Sequence, residues 1–242
     1  MSSSTDLTAR EAEIIRILGV LSEEAPGFVV VGGYAVNALD GHRFSVDLDL
    51  VTDGENLTRL NRVLQREKYE VSEHPKSQRP RLTVWEYVTL VGRERAKVAL
   101  YVNNFVCRQT RAEWPYGLVS ENSSREIVIG ATGSTESQVV RRELLVAMKV
   151  HSGRNQDLRD IVMLSERVDW EAVARFAARG SKEKVDEQVE SAIARIGEDR
   201  LESALKAEFG LRADARLLIK RTIRGLQKTR TLLRKQEANS RL

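Results

Sequence analysis

Two aspartates, Asp47 and Asp49, stand in a short segment that alternates apolar and acidic residues. Side chains two residues apart on a strand point to the same face, about 6.6 Å apart along the backbone, so a strand here would present both carboxylates side by side. Two carboxylates flanked by apolar neighbours are costly to hold together without a cation between them. Hard oxygen ligands of this kind select Mg²⁺ or Mn²⁺. The pattern therefore predicts a divalent-cation site.

A glycine pair, Gly32-Gly33, follows the apolar run Phe28–Val31 and precedes the aspartates. Glycines between a strand and a helix let an anion approach backbone N–H groups at the positive end of the helix. Either motif alone is weak evidence for such a site, because most glycine pairs are plain turns and most Asp-x-Asp segments lie on exposed edge strands or in calcium-type loops. Their succession would bring a phosphate site and metal ligands together, and this favours chemistry on a phosphate.

The elements that would carry these motifs alternate between strand and helix. A capping box from Thr8 to Glu11 and helical apolar spacing predict a helix over residues 8–25. Apolar and alternating runs predict strands at residues 28–31, 46–51, 69–71, 82–91, 96–102 and 127–129, and helices at residues 34–39 and 55–67.

Beyond Gly133 the apolar spacing is almost wholly helical. Helices are predicted at residues 135–151, 155–166, 170–178, 182–196, 200–209 and 211–237. We therefore expect an α+β fold, in which a mixed-sheet domain over residues 1–133 precedes a helical domain over residues 134–242.

Composition excludes several other kinds of site. The single cysteine, Cys107, rules out an internal disulfide and a zinc site with several cysteine ligands, and three scattered histidines give no histidine metal cluster. No window approaches the ~18 continuous apolar residues of a membrane span, and the polar N-terminal segment lacks the apolar stretch of a secretory signal. A cytoplasmic protein with no membrane partner is expected.

The order Gly-Gly, short helix, Asp-x-Asp resembles the minimal nucleotidyltransferases of the DNA polymerase beta-like superfamily, and most of all the group that includes AbiEii-type toxins of type IV toxin–antitoxin systems. A second motif of that group, a helical Lys followed by Arg and Asp-x-x-Asp, is similar to Lys149, Arg154, Asp157 and Asp160. The resemblance covers roughly residues 28–164. It implies a nucleotidyltransferase-type mixed sheet with flanking helices, and transfer of an NMP from an NTP to an acceptor hydroxyl.

The resemblance also implies roles for these residues. Asp47 and Asp49 would hold the Mg²⁺ or Mn²⁺ ions, Lys149 would neutralise charge on the triphosphate, and Asp160 would supply a ligand, orient Lys149 or assist the acceptor. Asp157 is expected to be a further metal ligand. The nucleotide contacts expected are Gly32, Gly33, Arg43, Ser45 and Arg154. As alternatives, Lys149 could be a solvated helix residue, and the two later aspartates could merely pair with arginines on one helix face.

One position departs from the family pattern. Many members carry a third metal-binding carboxylate on a later strand, and Ala99 occupies the corresponding position here. Glu86 is a candidate replacement, because alternation within residues 84–88 would place it on an otherwise apolar strand face. The other explanation is that catalysis has been lost.

The C-terminal tail concentrates positive charge. Residues 211–242 hold ten basic residues against two acidic ones, a net charge of +8, while the rest of the chain carries −4. Five of the basic residues recur at intervals of four and would form one stripe along a helix: Arg212, Arg216, Lys220, Arg224 and Lys228. Like charges at this spacing repel unless an anion lies along them. The stripe favours a track for RNA phosphates, with tRNA the acceptor suggested by the resemblance. A solvated face or a contact for an acidic partner is the alternative.

Three functions follow as hypotheses. The first is metal-dependent transfer of an NMP to RNA by a toxin, which implies a cognate antitoxin protein. The second, motivated by Ala99, is a catalytically silent module that binds nucleotide or RNA. The third is nucleotidylation of a small molecule such as an antibiotic, which would not need the basic stripe.

Overall fold

The chain divides into two compact units. The computed structural model describes residues 4–40, 45–73, 83–209 and 215–239. The sheet unit consists of Met1–Phe105 and Trp114–Arg141, and the helical unit consists of Val106–Glu113 and Arg142–Leu242.

The sheet unit opens with the elements that carry the glycine pair and the aspartates. In order along the chain these are α1 (Ser4–Glu24), β1 (Phe28–Val31), α2 (Gly32–Asp40), β2 (Asp47–Thr52), α3 (Gly54–Arg66), β3 (Glu70–Glu73), β4 (Thr83–Val91) and β5 (Glu94–Val102). The chain continues through β6 (Asn104–Cys107), β7 (Ala112–Pro115), α4 (Tyr116–Glu121), β8 (Ser123–Ile129) and β9 (Ser134–Val140).

The sheet is mixed, as expected from the sequence. Its seven strands follow the order β3-β4-β5-β2-β1-β9-β8, and β6 pairs with β7 separately. Strand β2 runs antiparallel to β1 and parallel to β5. All four residues of β1 are buried, which explains why this strand is a continuous apolar run. Helix α1 packs on β5 and β9 and buries Ile14, Ile17, Leu18 and Leu21 completely.

The helical unit is built around a buried helix. Its helices are α5 (Arg142–Ser152), α6 (Asn155–Leu164), α7 (Trp170–Ala177), α8 (Lys182–Ile196), α9 (Asp199–Phe209) and α10 (Ala215–Asn239), with a 3₁₀ turn at Ser165–Arg167. Helix α5 packs against α6, α7 and α8, and α10 packs against α7 and α8. Gly225 allows α10 to approach α7 closely, because a β-carbon there would overlap the Trp170 ring. In the part of the chain that the structure describes, no helix is long and apolar enough to cross a membrane.

Two sequence predictions of local structure are wrong. The helix expected over residues 135–151 is strand β9 followed by α5; the exposure of β9 falls toward its C-terminal end, where Val139 and Val140 are buried, and β-branched residues favour a strand. The capping box expected at Thr8 and Glu11 lies inside α1, which begins at Ser4. The Glu11 carboxylate instead accepts a hydrogen bond from the backbone N–H of Ala131 at 2.8 Å. The division into domains at residue 133 stays a prediction; the compact units change at residue 141.

Candidate nucleotide and metal site

The glycine pair lies next to one of the two aspartates. Strands β1 and β2 pair with Val31 opposite Asp49, so the residue that follows β1 faces the Asp49 carboxylate. Gly32 begins α2 with a φ of 68°, a conformation that favours glycine. A β-carbon at Gly32 would also overlap Asp49 Oδ2. Backbone conformation and close approach therefore both require glycine here.

Both aspartates lie on one face of β2. Their half-buried side chains alternate with Leu48 and Leu50, which are fully buried on the opposite face. In the parallel pairing with β5, Asp47 lies opposite Lys97, and Asp49 lies opposite Ala99. The two carboxylates therefore share one face of the central sheet with alternate residues of β5.

Lys97 stands between carboxylates on this face. Its Nζ is 2.9 Å from Glu86 Oε1 and 3.8 Å from Asp47 Oδ2. Burial opposes its charge most strongly, but the hydrogen bond to Glu86 and attraction by Asp47, Glu86 and Asp49 outweigh burial and raise the pKa of Lys97. Lys97 was not predicted as a site residue, although it begins the stretch in which Ala99 replaces the expected acid.

Ala99 separates two acidic residues of the sheet. It lies opposite Asp49 on one side and opposite Glu86 on the other, so Glu86 is the carboxylate across the small alanine side chain from Asp49. Among the described residues, no three His, Cys, Asp or Glu side chains are grouped as metal ligands. The structure thus places Glu86 on the predicted face but pairs it with Lys97.

An aromatic group borders the Asp49 carboxylate. Tyr101 donates its hydroxyl to Asp49 Oδ1 at 3.4 Å. The Tyr101 ring lies 4.8 Å from the Phe105 ring, which in turn lies 6.1 Å from the Trp114 ring. Tyr101 was also missed from the sequence, where its only signal was its spacing of two residues from Ala99.

The residues present fit a divalent cation. The donor set consists of carboxylate oxygens, which suit Mg²⁺ and Mn²⁺, and the Lys97 ammonium shows that a cation is stable beside Asp47. If a cation binds, Asp47 and Asp49 would hold it.

The second motif forms a buried ion-pair cluster in the helical unit. Lys149 Nζ is 2.6 Å from Asp160 Oδ2 and 3.2 Å from Asp157 Oδ1. The side chains of Lys149, Asp157 and Asp160 are only 5%, 3% and 0% exposed. This burial overturns the alternative that Lys149 is a solvated helix residue.

Asp157 is engaged through both carboxylate oxygens. Besides Lys149, its partners include the Ser152 side chain and the backbone N–H and the guanidinium of Arg154, at the start of α6. Burial alone would raise the pKa of Asp157, but the charges and hydrogen bonds of Lys149 and Arg154 outweigh it and lower the pKa to about 2. Asp157 therefore caps α6 and holds Lys149, and its assignment as a metal ligand stays a prediction. Arg154 is 72% exposed.

Three other residues were predicted to contact nucleotide or RNA, and the structure describes one of them. Ser45 is buried but lies before β2, and its carbonyl accepts a hydrogen bond from the Tyr34 hydroxyl at 3.3 Å. Arg43 and Arg212 lie outside the described residues.

The basic stripe is partly neutralised within the helical unit. Arg216 pairs with Glu202 at 2.9 Å, and Lys228 pairs with Glu171 at 2.9 Å. Lys220 and Arg224 are exposed on α10. Of the four stripe residues that the structure describes, two therefore form ion pairs with acidic side chains of the same unit.

Comparison with solved structures gives similar proteins at low sequence identity. A protein from H. pylori described as a nucleotidyltransferase is 15% identical, with a TM-score of 0.49, over 97% of this chain and 98% of its own. JHP933 from Helicobacter pylori is 12% identical, with a TM-score of 0.47, over 100% and 98%. ANT(2")-Ia in complex with adenylyl-2"-tobramycin is 16% identical, with a TM-score of 0.41, over 84% and 98%.

Sequence comparison is more informative at the level of the family. No curated protein sequence gives a significant match. The family model described as nucleotidyl transferase AbiEii toxin, type IV TA system, matches residues 16–234, which include both motifs and nearly the whole chain. The chain therefore belongs to the AbiEii family of type IV toxin–antitoxin systems, and it is a nucleotidyltransferase.

Proposed function

We propose that this nucleotidyltransferase moves an NMP from an NTP onto a hydroxyl of RNA, with tRNA as the leading candidate, and that it acts as the toxin of a type IV toxin–antitoxin system. Asp47 and Asp49 hold Mg²⁺ or Mn²⁺ for this reaction. The family implies an NTP substrate and a cognate antitoxin; the acceptor, the metal and the toxic activity are our proposal.

The observation that carries this proposal is the contact between Gly32 and Asp49. Because Asp49 occupies the space of a missing β-carbon at the N-terminus of α2, a carboxylate and the backbone N–H groups of a helix start meet at one point. A carboxylate alone would repel a triphosphate bound at these N–H groups. A cation between the carboxylate and the triphosphate would remove this repulsion, and the arrangement therefore favours a metal-bound nucleotide.

Each residue then has a definite task. The backbone N–H groups of Gly32 and Gly33 bind triphosphate oxygens, and Tyr101 keeps the Asp49 carboxylate in place through its hydroxyl. A divalent cation at the two aspartates would neutralise phosphate charge and activate the acceptor hydroxyl. The acceptor oxygen bonds to the α-phosphorus, the bond from that phosphorus to pyrophosphate breaks, and the hydroxyl proton is released to solvent.

Two further groups are proposed, and both belong to the helical unit. We assign nucleotide binding to Lys149 and the orientation of Lys149 to Asp160, whose oxygen lies 2.6 Å from the ammonium. On α10, the exposed Lys220 and Arg224 are proposed contacts for RNA phosphates.

The acceptor can be identified with purified chain, each α-labelled NTP and Mg²⁺, incubated with total RNA, purified tRNA or an aminoglycoside. Label on tRNA that disappears with EDTA is the expected result. Label on the small molecule alone would replace RNA as the acceptor, and no label on any acceptor would contradict the proposal. The toxin role is tested by expressing the chain in growing cells. The unaltered chain should arrest growth, and Asp47→Asn should not.

A catalytically silent nucleotide- or RNA-binding module is the second candidate, and Ala99 is the observation that favours it. The strand position between Asp49 and Glu86 carries no acid. This candidate requires RNA binding that is unchanged by EDTA and by Asp47→Asn, together with no transfer of label.

A further inference from the structure

Lys97 occupies a special position on the acidic face of the sheet. It lies directly opposite Asp47 in the pairing of β2 with β5, whereas Glu86 is bound to it from β4. One ammonium therefore faces three carboxylates, those of Asp47, Asp49 and Glu86, all of which attract it. With one ammonium and three carboxylates, this cluster of side chains keeps a net negative charge.

The two distances from the ammonium differ in kind. The 2.9 Å separation from Glu86 is that of a hydrogen-bonded ion pair, whereas 3.8 Å from Asp47 is electrostatic attraction without a hydrogen bond. Glu86 therefore holds Lys97, and Lys97 in turn compensates Asp47. Coulomb attraction at this distance is substantial where water is partly excluded, and the side chains of Lys97 and Glu86 are each 28% exposed.

We propose that Lys97 is a built-in counter-cation of the Asp47 and Asp49 site, held in place by Glu86, and that a divalent cation binds in competition with it. This inference rests on the metal site of the proposed function. Glu86 acts through Lys97 and is a positioning residue.

The ion pair of Lys97 and Glu86 could also be explained as purely structural, because oppositely charged neighbours on adjacent strands often stabilise a sheet. The two explanations differ in their effect on metal binding. A structural pair stabilises the sheet with or without metal. A competing ammonium stabilises the metal-free protein and weakens the affinity for a dication at the same time.

The test is the binding of Mn²⁺ to the purified full chain, measured by calorimetry and by electron paramagnetic resonance of the unbound ion. In Lys97→Met we expect the affinity for Mn²⁺ to rise about tenfold because a nearby positive charge is gone. The melting temperature of the metal-free variant should fall, and Mn²⁺ should raise it by more than in the unaltered chain.

Two variants serve as controls. Lys97→Arg keeps the charge, so its Mn²⁺ affinity should stay near that of the unaltered chain. If Lys97→Met does not fold, Lys97→Gln takes its place in the comparison with Lys97→Arg. Arg125→Met removes one positive charge from β8, three strands from β2 in the sheet order, and should leave the affinity unchanged.

The outcomes separate this inference from the proposed function. If Asp47→Asn abolishes Mn²⁺ binding but Lys97→Met leaves it unchanged or weaker, the role of Lys97 is wrong while the metal site stands. If neither the unaltered chain nor Lys97→Met binds Mn²⁺, both proposals fail.

Discussion

The Asp49 carboxylate fills the space that a β-carbon would need at Gly32. This contact joins the end of β1 to the middle of β2 and fixes the carboxylate at the start of α2. The same glycine has a φ of 68°. Any other residue at position 32 must therefore both adopt a strained backbone and displace the carboxylate.

Gly32→Ala is accordingly expected to abolish most nucleotidyl transfer. Backbone strain should lower the free energy of unfolding by about 1–3 kcal/mol, and displacement of Asp49 should lower the transfer rate about 100-fold. Urea unfolding and label transfer measure the two effects. Gly117→Ala is the matched control, because a β-carbon there meets no atom within 4 Å; a similar loss of transfer in that variant would contradict the assignment.

The free energy of unfolding should depend on pH through His151. This histidine is fully buried, its Nε2–H donates to the Ala177 carbonyl at 3.0 Å, and Thr110 donates its hydroxyl to Nδ1 at 2.6 Å. Burial, the largest cause, lowers the pKa of His151 from 6.5 to about 4. The native state therefore takes up a proton at lower pH than the unfolded chain.

The resulting stability is complete above the unfolded pKa of 6.5 and is lost as the pH falls toward 4. The loss should reach about 2 kcal/mol at pH 5. Urea unfolding at pH 7.5 and 5 checks this, and the difference between the two pH values should shrink in His151→Gln. An equal difference in that variant would show that other groups cause the pH dependence.

The buried cluster in the helical unit should be sensitive to loss of its cation. Lys149→Met leaves Asp157 and Asp160 without their shared ammonium and should lower the free energy of unfolding by about 3–5 kcal/mol. The double variant Lys149→Met/Asp160→Asn removes one of the stranded charges, so it should recover part of this loss. Label transfer by the double variant then separates the roles: transfer near that of the unaltered chain would mean that the cluster serves stability alone.

Salt dependence should reveal any contact of α10 with RNA. Replacing Lys220 and Arg224 by glutamate turns two exposed positive charges into negative ones, so tRNA binding should weaken about tenfold or more and its salt slope should decrease by about 2. Gel-shift titrations at several salt concentrations measure both. Replacing Lys182 and Lys184 of α8 by glutamate makes the same change of net charge; equal weakening there would argue against a specific track on α10.

Local patterns were enough to predict the centre of the sheet unit. The apolar run of β1, the glycine pair and the alternation of Asp47 with Asp49 are each set by neighbouring residues, and the structure brings them together. The partners of Lys97 depend instead on the register of β5 with β2 and β4. The register with β2 joins residues 50 positions apart, such as Asp47 and Lys97, so single-sequence periodicity could not supply it.

Burial was the second property that the sequence left open. Apolar residues both precede and follow Lys149 in the sequence, but only the packing of α5 against three other helices shows that its ammonium is enclosed. Strand β9 was mistaken for helix because its polar residues hide the strand alternation, and pairing with β1 and β8 decides its structure.

Asp47 and Asp49 should make nucleotidyl transfer depend on a divalent cation. The most direct measurement is the rate of label transfer from an α-labelled NTP to tRNA in Asp47→Asn, Asp49→Asn and Asp53→Asn, each with Mg²⁺. Asp53 caps α3 through its side chain, and asparagine caps equally well, so this control should transfer label at the rate of the unaltered chain. Asp47→Asn and Asp49→Asn should each lose at least about 1,000-fold in rate. Transfer at an undiminished rate in either of these two variants would contradict a metal-binding role for the aspartates.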